Sequence, residues 1–516
     1  MRVTAVILSG SSPEPFSSWL SSHHWKPSTL TFSFPVNGSY YSYQRTADVK
    51  PLSEAQEDAV RAALSQISSF TALRFREISE TFTDEATLRF AREVGLGGAY
   101  AYLPDTDETG GDGFFGGGTT NPTPGNEAFL YYIHEIGHAL GLEHGHEFPS
   151  FYLSDLDSQE FTVMTYSDYA GDTELDSYDA GPVDWAQTYM QLDIAALQFL
   201  YGANYATSGE VWSGDTVYRF NPQTGEMSVN GAGQGAPAGN RIFRTIWDGD
   251  GEDTYNLANY TTDLDIDLAP GGWSTFSRGQ LADLDRFSDS TERIAEGNVA
   301  NARLVDGDLR GLIENAIGGS GDDTIRGNKA DNALSGRAGA DSLFGFAGED
   351  RLMGGSGTDF LAGGTQADRL LGGAGRDVLQ GAKGGDTLLG GTGNDVLNGG
   401  RVKDTLIGGA GFDKLTGGHG ADAFVYHNVQ DAPVADRTER ITDFNSGVDR
   451  IDLSALTGPK LALTLGGDLG GGVPSVATTL VGSDTRVTVD LDGDGSADMQ
   501  ILLLNVQSLL TQDFIL

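Results

Sequence analysis

Apolar and polar positions change period along the 516 residues, and each change marks a change of architecture. Leu30 to Phe34, Leu73 to Ile78 and Thr87 to Ala91 alternate with the period of two that half-buried strands require. Between the first two, Ser53 and Gln56 form a capping box, and Val60, Ala63, Leu64 and Ile67 follow helical spacing. Asn126 is a good N-cap with Glu127 in the first turn behind it, so a second helix begins there and runs through His134. A third is expected from about Asp193, with Ile194, Leu197 and Tyr201 on one side. Helices against a small sheet predict a mixed α+β domain over residues 1–205.

Residues 206–317 are rich in short strands and turns and are less regular. Gly318 to Val425 then divides without insertion into twelve nonapeptides of the form G-G-x-G-x-D-x-L-x. The sixth position holds Asp323, Asn332, Asp341, Asp350, Asp359, Asp368, Asp377, Asp386, Asp395, Asp404, Asp413 and Asp422, and the eighth is aliphatic from Ile325 to Leu415 and aromatic at Phe424. The glycines permit a tight turn with carbonyls directed inward, and the next three residues form a short strand whose aliphatic side chain points into the stack. Stacked turns place the Asp carboxylates beside those carbonyls, an all-oxygen cage suited to Ca2+. A flexible glycine-rich linker would have no use for an aliphatic residue every ninth position. Residues 318–425 are therefore expected to form a parallel β-roll, and residues 426–516 a β-rich cap over its open end. On physical grounds the tail Asp513-Phe514-Ile515-Leu516 is a final strand.

Charge and cysteine usage narrow the function classes. Asp and Glu number 73 against 32 Lys and Arg, a net charge of −41 that repels nucleic acid and anionic lipid. The absence of cysteine excludes a disulfide framework, a thiolate zinc site, a cysteine nucleophile and a cysteine-based zymogen switch. The apolar stretch within Met1 to Gly10 is shorter than a secretory core, and no run is long enough to span a membrane. Export would need some other signal.

The densest chemistry lies in His134-Glu135-Ile136-Gly137-His138-Ala139-Leu140-Gly141-Leu142-Glu143-His144. His134 and His138, four apart, share one helix face and can meet one metal ion. Glu135 borders that face, close enough to take a proton from a water the ion has acidified. Gly141 lets the helix stop and the chain reverse, bringing back His144 as a third nitrogen donor. Three imidazoles leave a tetrahedral Zn2+ one open position, as a catalytic site requires. Val163-Met164-Thr165-Tyr166 follows about twenty residues later, with Met164 suited to an apolar floor beneath the metal. Tyr166 is placed to approach the metal or to hydrogen-bond an oxyanion. His146 and Glu147 read as rim residues. An extended substrate would pair with an edge strand, for which Ala99, Tyr100 and Ala101 are the best candidates.

These features together resemble the serralysins, bacterial metzincin endopeptidases with a calcium-binding RTX β-roll. The likeness also rests on Asp193 to Asn204, Gly214 to Tyr218, Trp247-Asp248 and Ile313 to Gly319. It implies a metzincin-type α+β protease domain followed by an all-β RTX roll. It implies zinc on His134, His138 and His144, Glu135 as general base, and Tyr166 as mobile ligand and oxyanion partner. Calcium would be held by the repeat aspartates and, ahead of them, around Trp212, Gly214 and Thr216 with Asp248, Asp253 and Glu314. It further implies a monomer acting outside a bacterial cell on protein or peptide substrates, with broad specificity. Export would use type I ABC machinery reading an uncleaved C-terminal signal, and a small periplasmic protein inhibitor would be a further partner. The chain departs from the family at Gly145, where proline is common, in an N-terminal prosegment that is hard to see, and in the number of uninterrupted nonapeptides.

Two other classes compete. A calcium-dependent surface- or matrix-binding protein could use a degenerate protease domain as scaffold, but here base, ligands and methionine turn are all intact. An RTX lipase or polysaccharide-modifying enzyme would share the roll, yet the first 200 residues contain no G-x-S-x-G. Asp490-Leu491-Asp492-Gly493-Asp494-Gly495 is equally compatible with the start of a calcium loop and with a polar turn between strands.

Overall fold

In a computed structural model the described residues are 5–7, 15–41, 48–81, 84–148, 151, 154–172, 179–205, 214–287, 293–434, 438–456 and 460–516. They form two compact units, Met1–Thr254 with Pro270–Ile313, and Tyr255–Ala269 with Glu314–Leu516. None of the described helices is long and apolar enough to cross a membrane.

The first unit holds β1 (Thr29–Ser33), β2 (Val49–Lys50), α1 (Glu54–Phe70), β3 (Arg74–Glu77), β4 (Leu88–Glu93), β5 (Ala99–Ala101), β6 (Asp112–Phe115), α2 (Glu127–Ala139) and α3 (Gln191–Tyr201). The strands lie in the order β3-β1-β4-β6-β5. All neighbours are parallel except β5, which runs antiparallel to β6 and forms the edge. Short β2 pairs antiparallel with β4.

Capping sets where the helices begin. The Ser53 amide donates to Gln56 Oε1 at 3.1 Å, and Asn126 Oδ1 accepts from the Phe129 amide at 2.9 Å. Helix α3 starts two residues ahead of Asp193, because that carboxylate reaches back to accept from the Met190 amide at 2.9 Å. Val60, Ala63, Leu64 and Ile67 of α1, Ile133 and Ile136 of α2, and Leu197 of α3 are buried in one core. Burying each Val, Leu or Ile of this set stabilises the fold by about 1.5–3 kcal/mol.

In the second unit successive repeat strands alternate between two sheets. Each pairs in parallel with the strand two repeats on, so Leu334 faces Leu352 in one sheet and Leu343 faces Leu361 in the other. From Ala333 to His419 the strands run six or seven residues, longer than the three expected, since pairing continues into the following turn, as at Gly355 with Gly373, whereas those of the first and last repeats keep three. Every eighth-position side chain from Ile325 to Phe424 is completely buried, so this row is the core of the roll. Beyond the repeats, Glu439–Ile441 and Met499–Leu503 pair in parallel, as do Arg450–Asp452 and Phe514–Ile515, while Ser475–Val481 and Asp484–Asp490 form an antiparallel pair.

The roll turns demand left-handed backbone even where glycine is missing. Arg337, Phe346, Gln366, Ala382 and Val402 have φ between 72° and 86°. Val402, β-branched at φ 82°, is the most strained of these. Val402→Gly is expected to raise stability by about 1 kcal/mol, strain relief outweighing the extra freedom of an unfolded glycine. A lower melting temperature in calcium-saturated protein would refute this.

Candidate functional site

Helix α2 carries His134 and His138, and the chain reverses at Gly141, whose φ of 105° a side chain would strain. The three Nε2 atoms converge. His134 and His138 are 3.1 Å apart, His134 and His144 3.1 Å, and His138 and His144 3.0 Å. Two ligands of a tetrahedral zinc lie about 3.3 Å apart, so the spacing fits one ion. Each opposite nitrogen faces an oxygen: His134 Nδ1 the Val163 carbonyl at 2.7 Å, His138 Nδ1 the Leu142 carbonyl at 2.6 Å, and His144 Nδ1 Glu147 Oε1 at 3.2 Å. With Nδ1 donating to these oxygens, all three Nε2 lone pairs point at one another, an arrangement suited to a cation. Burial lowers all three imidazole pKa values, that of His138 to about 3, which keeps the rings neutral and able to ligate.

Glu135 is 6% exposed, and loss of hydration raises its pKa to about 8, an effect the Ala101 amide partly offsets. It lines an open cleft of about 290 Å³ together with the three histidines, Tyr166 and all of β5. Ala99, Tyr100 and Ala101 therefore border the histidine cluster on an edge strand.

Met164 is fully buried beneath the helix, and a Cβ added to Gly137 would lie 2.7 Å from its sulfur. The turn bearing Met164 is clasped by Asp193, which accepts from Thr162 Oγ1 at 2.6 Å and from the Val163 amide at 2.8 Å. The same Val163 presents its carbonyl to His134, so one buried carboxylate orients a prospective ligand through a single residue. Tyr166 stacks on His134 at 5.9 Å between centroids and lies 4.7 Å from the His144 ring. His146 packs against Tyr166 at 4.6 Å and against His144 at 5.0 Å, a contact that its place in the sequence gave no reason to expect.

Gly145 has a steric cause. The segment ahead of β1 docks on the histidine loop: the Glu143 amide donates to the Trp19 carbonyl at 2.7 Å and the Ser21 amide to the Gly141 carbonyl at 2.8 Å. A Cβ at Gly145 would fall inside the Trp19 indole and 2.7 Å from Phe151 Cδ1. Gly145→Ala is expected to cost about 1–3 kcal/mol in urea unfolding, and any activity should fall about tenfold or more as His144 shifts. Adding Trp19→Leu should restore part of both; a Gly145→Ala protein as stable as wild type would sink the argument.

The residues expected to hold calcium divide between the units, and Trp212 lies outside the described residues. In the first unit the Thr216 amide donates to Asp253 Oδ1 at 2.9 Å, and Thr216 Oγ1 donates to the Gly214 carbonyl at 3.0 Å. Asp248 accepts from the Tyr218 hydroxyl at 2.5 Å, and burial raises its pKa to about 6. In the second unit the repeat aspartates form a ladder, each amide from Asp323 to Asp404 donating to the carboxylate eighteen residues on, as Asp341 to Asp359 at 2.9 Å. From Asp341 through Asp350, Asp359, Asp368, Asp377, Asp386, Asp395 and Asp404 to Asp413, the other oxygen is buried without a donor.

Asp323 differs, since Gly319 and Leu264 amides occupy both its oxygens, and Asp422 has no such orphaned atom among the described residues. Asn332 differs in another way: its amide donates to the Glu314 carbonyl at 2.8 Å and to Asn328 Oδ1 at 3.2 Å, a neutral donor where the neighbouring turns leave a bare carboxylate oxygen. Asp490, Asp492 and Asp494 come together, but amides of their own loop bond to them: Gly493 and Gly495 to Asp490, Asp494 to Asp492 and Ser496 to Asp494.

Known proteins share this chain's pattern. The family model described as Peptidase M10 serralysin C terminal matches residues 207–516. Serralysin of Proteus mirabilis is 31% identical over 335 residues, covering 60% of this chain and 61% of that protein. Metalloprotease AprA of Pseudomonas entomophila (strain L48) is 29% identical over 323 residues, 59% of this chain and 60% of that protein. Serralysin B of Dickeya chrysanthemi is 30% identical over 322 residues, 58% and 59% respectively. The chain thus spans about 60% of the length of these relatives. Because the family match alone extends over more than half of the sequence, the chain belongs to the serralysin family of M10 peptidases.

Proposed function

We propose that this protein is a zinc-dependent endopeptidase of the metzincin type, secreted by a bacterium and stabilised by calcium, with its catalytic domain in residues 1–205. The observation that carries the reading is the convergence of three neutral Nε2 atoms within 3.0–3.1 Å of one another beside a buried glutamate. Zinc held by His134, His138 and His144 would supply Lewis acidity, polarising a scissile carbonyl and acidifying water. Glu135 takes the proton from the attacking water and delivers it to the leaving amine nitrogen. The Tyr166 hydroxyl donates to the oxygen on which negative charge develops. Met164 fixes the floor, and β5 aligns an extended peptide through backbone hydrogen bonds, which favours broad specificity over selection by side chain.

Residues 206–317 lead into the roll, 318–425 bind Ca2+ through their aspartates, and 426–516 cap it. Export by type I ABC machinery and control by a small periplasmic inhibitor accord with the family. The purified chain should contain one zinc, lose casein cleavage when that zinc is removed by phenanthroline, and regain it on zinc addition. Equal cleavage by protein verified as zinc-free would refute the assignment; zinc binding without cleavage would favour a scaffold.

A further inference from the structure

The three nitrogens that converge on the proposed zinc do not exhaust the metal-binding groups of this loop. Immediately after His144 the chain makes a single 3-10 turn, Gly145–Glu147, and that turn carries two further donors. One ring nitrogen each of His144 and His146 and one carboxylate oxygen of Glu147 lie within 4.8 Å of one another. His144 meets this second group with the nitrogen that the first leaves free. Its Nε2 lies against those of His134 and His138, while its Nδ1 is 3.2 Å from Glu147 Oε1. Two ligands of a tetrahedral zinc are about 3.3 Å apart, so this pair is already spaced to share an ion.

The His146 ring lies 5.0 Å from that of His144 with 25° between their planes, and 4.6 Å from the Tyr166 ring. Its Nδ1 is buried and has no hydrogen-bond partner. Buried polar atoms are ordinarily bonded, so the bare nitrogen is an observation independent of the clustering. The Glu147 side chain is 59% exposed and borders the open cleft, which gives an ion a path from solvent. Glu135 and Glu143 line the same cleft, and among the described residues no lysine or arginine does, which favours entry of a cation.

Two imidazoles and one carboxylate suit an ion such as Zn2+, Cu2+ or Ni2+, whereas Ca2+ takes oxygen ligands. The group is thus chemically distinct from the aspartate ladder of the roll.

We propose that His144, His146 and Glu147 form a second, inhibitory site for a metal ion of the Zn2+ class, with His144 bridging it to the catalytic zinc. The inference rests on the zinc-endopeptidase reading and adds a control on it. As the second ion binds, the Nδ1–H bond of His144 breaks; the electron pair goes to the incoming ion, the proton goes to solvent, and the ring stays bonded through Nε2. Three changes then lower turnover. A deprotonated, bridging imidazole gives the catalytic ion more electron density and makes it a weaker Lewis acid. Glu147 gives up the contact that orients His144. His146 turns toward the ion and away from Tyr166, the oxyanion partner. The enzyme is active with one zinc and suppressed when zinc is in excess.

The test uses the full-length chain saturated with Ca2+ and dialysed against Zn2+ from trace to excess, with bound zinc counted by atomic emission and cleavage of a quenched peptide measured on the same samples. Wild type should bind one zinc and then a second, and cleavage should fall about tenfold as the second enters. His146→Phe keeps an aromatic ring against Tyr166 and removes both nitrogens. It should bind one zinc fewer than wild type in excess zinc and lose the inhibition, each protein being compared with its own one-zinc activity. An equal zinc count in the two proteins, or equal inhibition of both, overturns the site. A wild type that stops at one zinc and cleaves undiminished in excess zinc also overturns it and leaves the endopeptidase reading intact; a wild type that binds no zinc overturns that reading. Should His146→Phe fail to fold, the same comparison with His146→Ala decides the matter.

Discussion

Glu135→Gln is expected to lower kcat on casein or a quenched peptide by about a thousandfold while one zinc per chain remains bound. Glutamine preserves the volume of a side chain only 6% exposed and can still accept from the Ala101 amide, so the packing of α2 should survive. What it loses is a carboxylate able to gain and release a proton. Desolvation raises the pKa of Glu135 to about 8, and a cation at the neighbouring histidines would pull it back toward the ordinary carboxylate range. KM should change little if, as proposed, the extended substrate is aligned by β5 and not by Glu135. Near-normal kcat in zinc-loaded Glu135→Gln would remove Glu135 from the chemistry and shift attention to Tyr166, which borders the same cleft.

The legible part of this site is the part governed by local spacing. His134 and His138 are neighbours because a helix brings residues four apart onto one face, and Gly141 marks the reversal that returns His144. The same holds for the roll, whose strand order follows from the nine-residue period. What spacing cannot carry is contact between distant segments through groups every residue possesses. The acceptors for His134 and His138 are backbone carbonyls of Val163 and Leu142. Asp193 reads in the sequence only as the beginning of a helix, yet its carboxylate organises a turn thirty residues earlier. Gly145 reads as a departure from family custom, and its reason is the Trp19 ring seated above it. Glu439 continues the aspartate ladder after an insertion that breaks the period, and a different side chain length conceals it further.

Withholding calcium should abolish most of the strand signal of Tyr255–Ala269 with Glu314–Leu516 at neutral pH. The carboxylates from Asp341 to Asp413 each keep one buried oxygen without a donor. Burial, together with repulsion from neighbouring carboxylates, raises their pKa values, to about 7 at Asp368, Asp404 and Asp413, so folding without a cation must place several poorly hydrated negative charges in a row. Amide donation within the ladder relieves only one oxygen of each pair. A cation present at about a hundred times its Kd adds about 2.7 kcal/mol per site, and a handful of such sites matches the whole stability of an ordinary domain, about 5–15 kcal/mol. The full chain refolded from urea without calcium should therefore show weak β circular dichroism, and a calcium titration should restore it cooperatively, since each turn shares its carboxylates with the next. Asn332 sharpens the expectation: its amide already supplies hydrogen bonds to Glu314 and Asn328, so the first turns need less calcium than the central ones and should retain protection from hydrogen exchange at lower calcium. A roll whose circular dichroism and melting temperature ignore calcium altogether would mean that protons, rather than metal ions, neutralise the ladder.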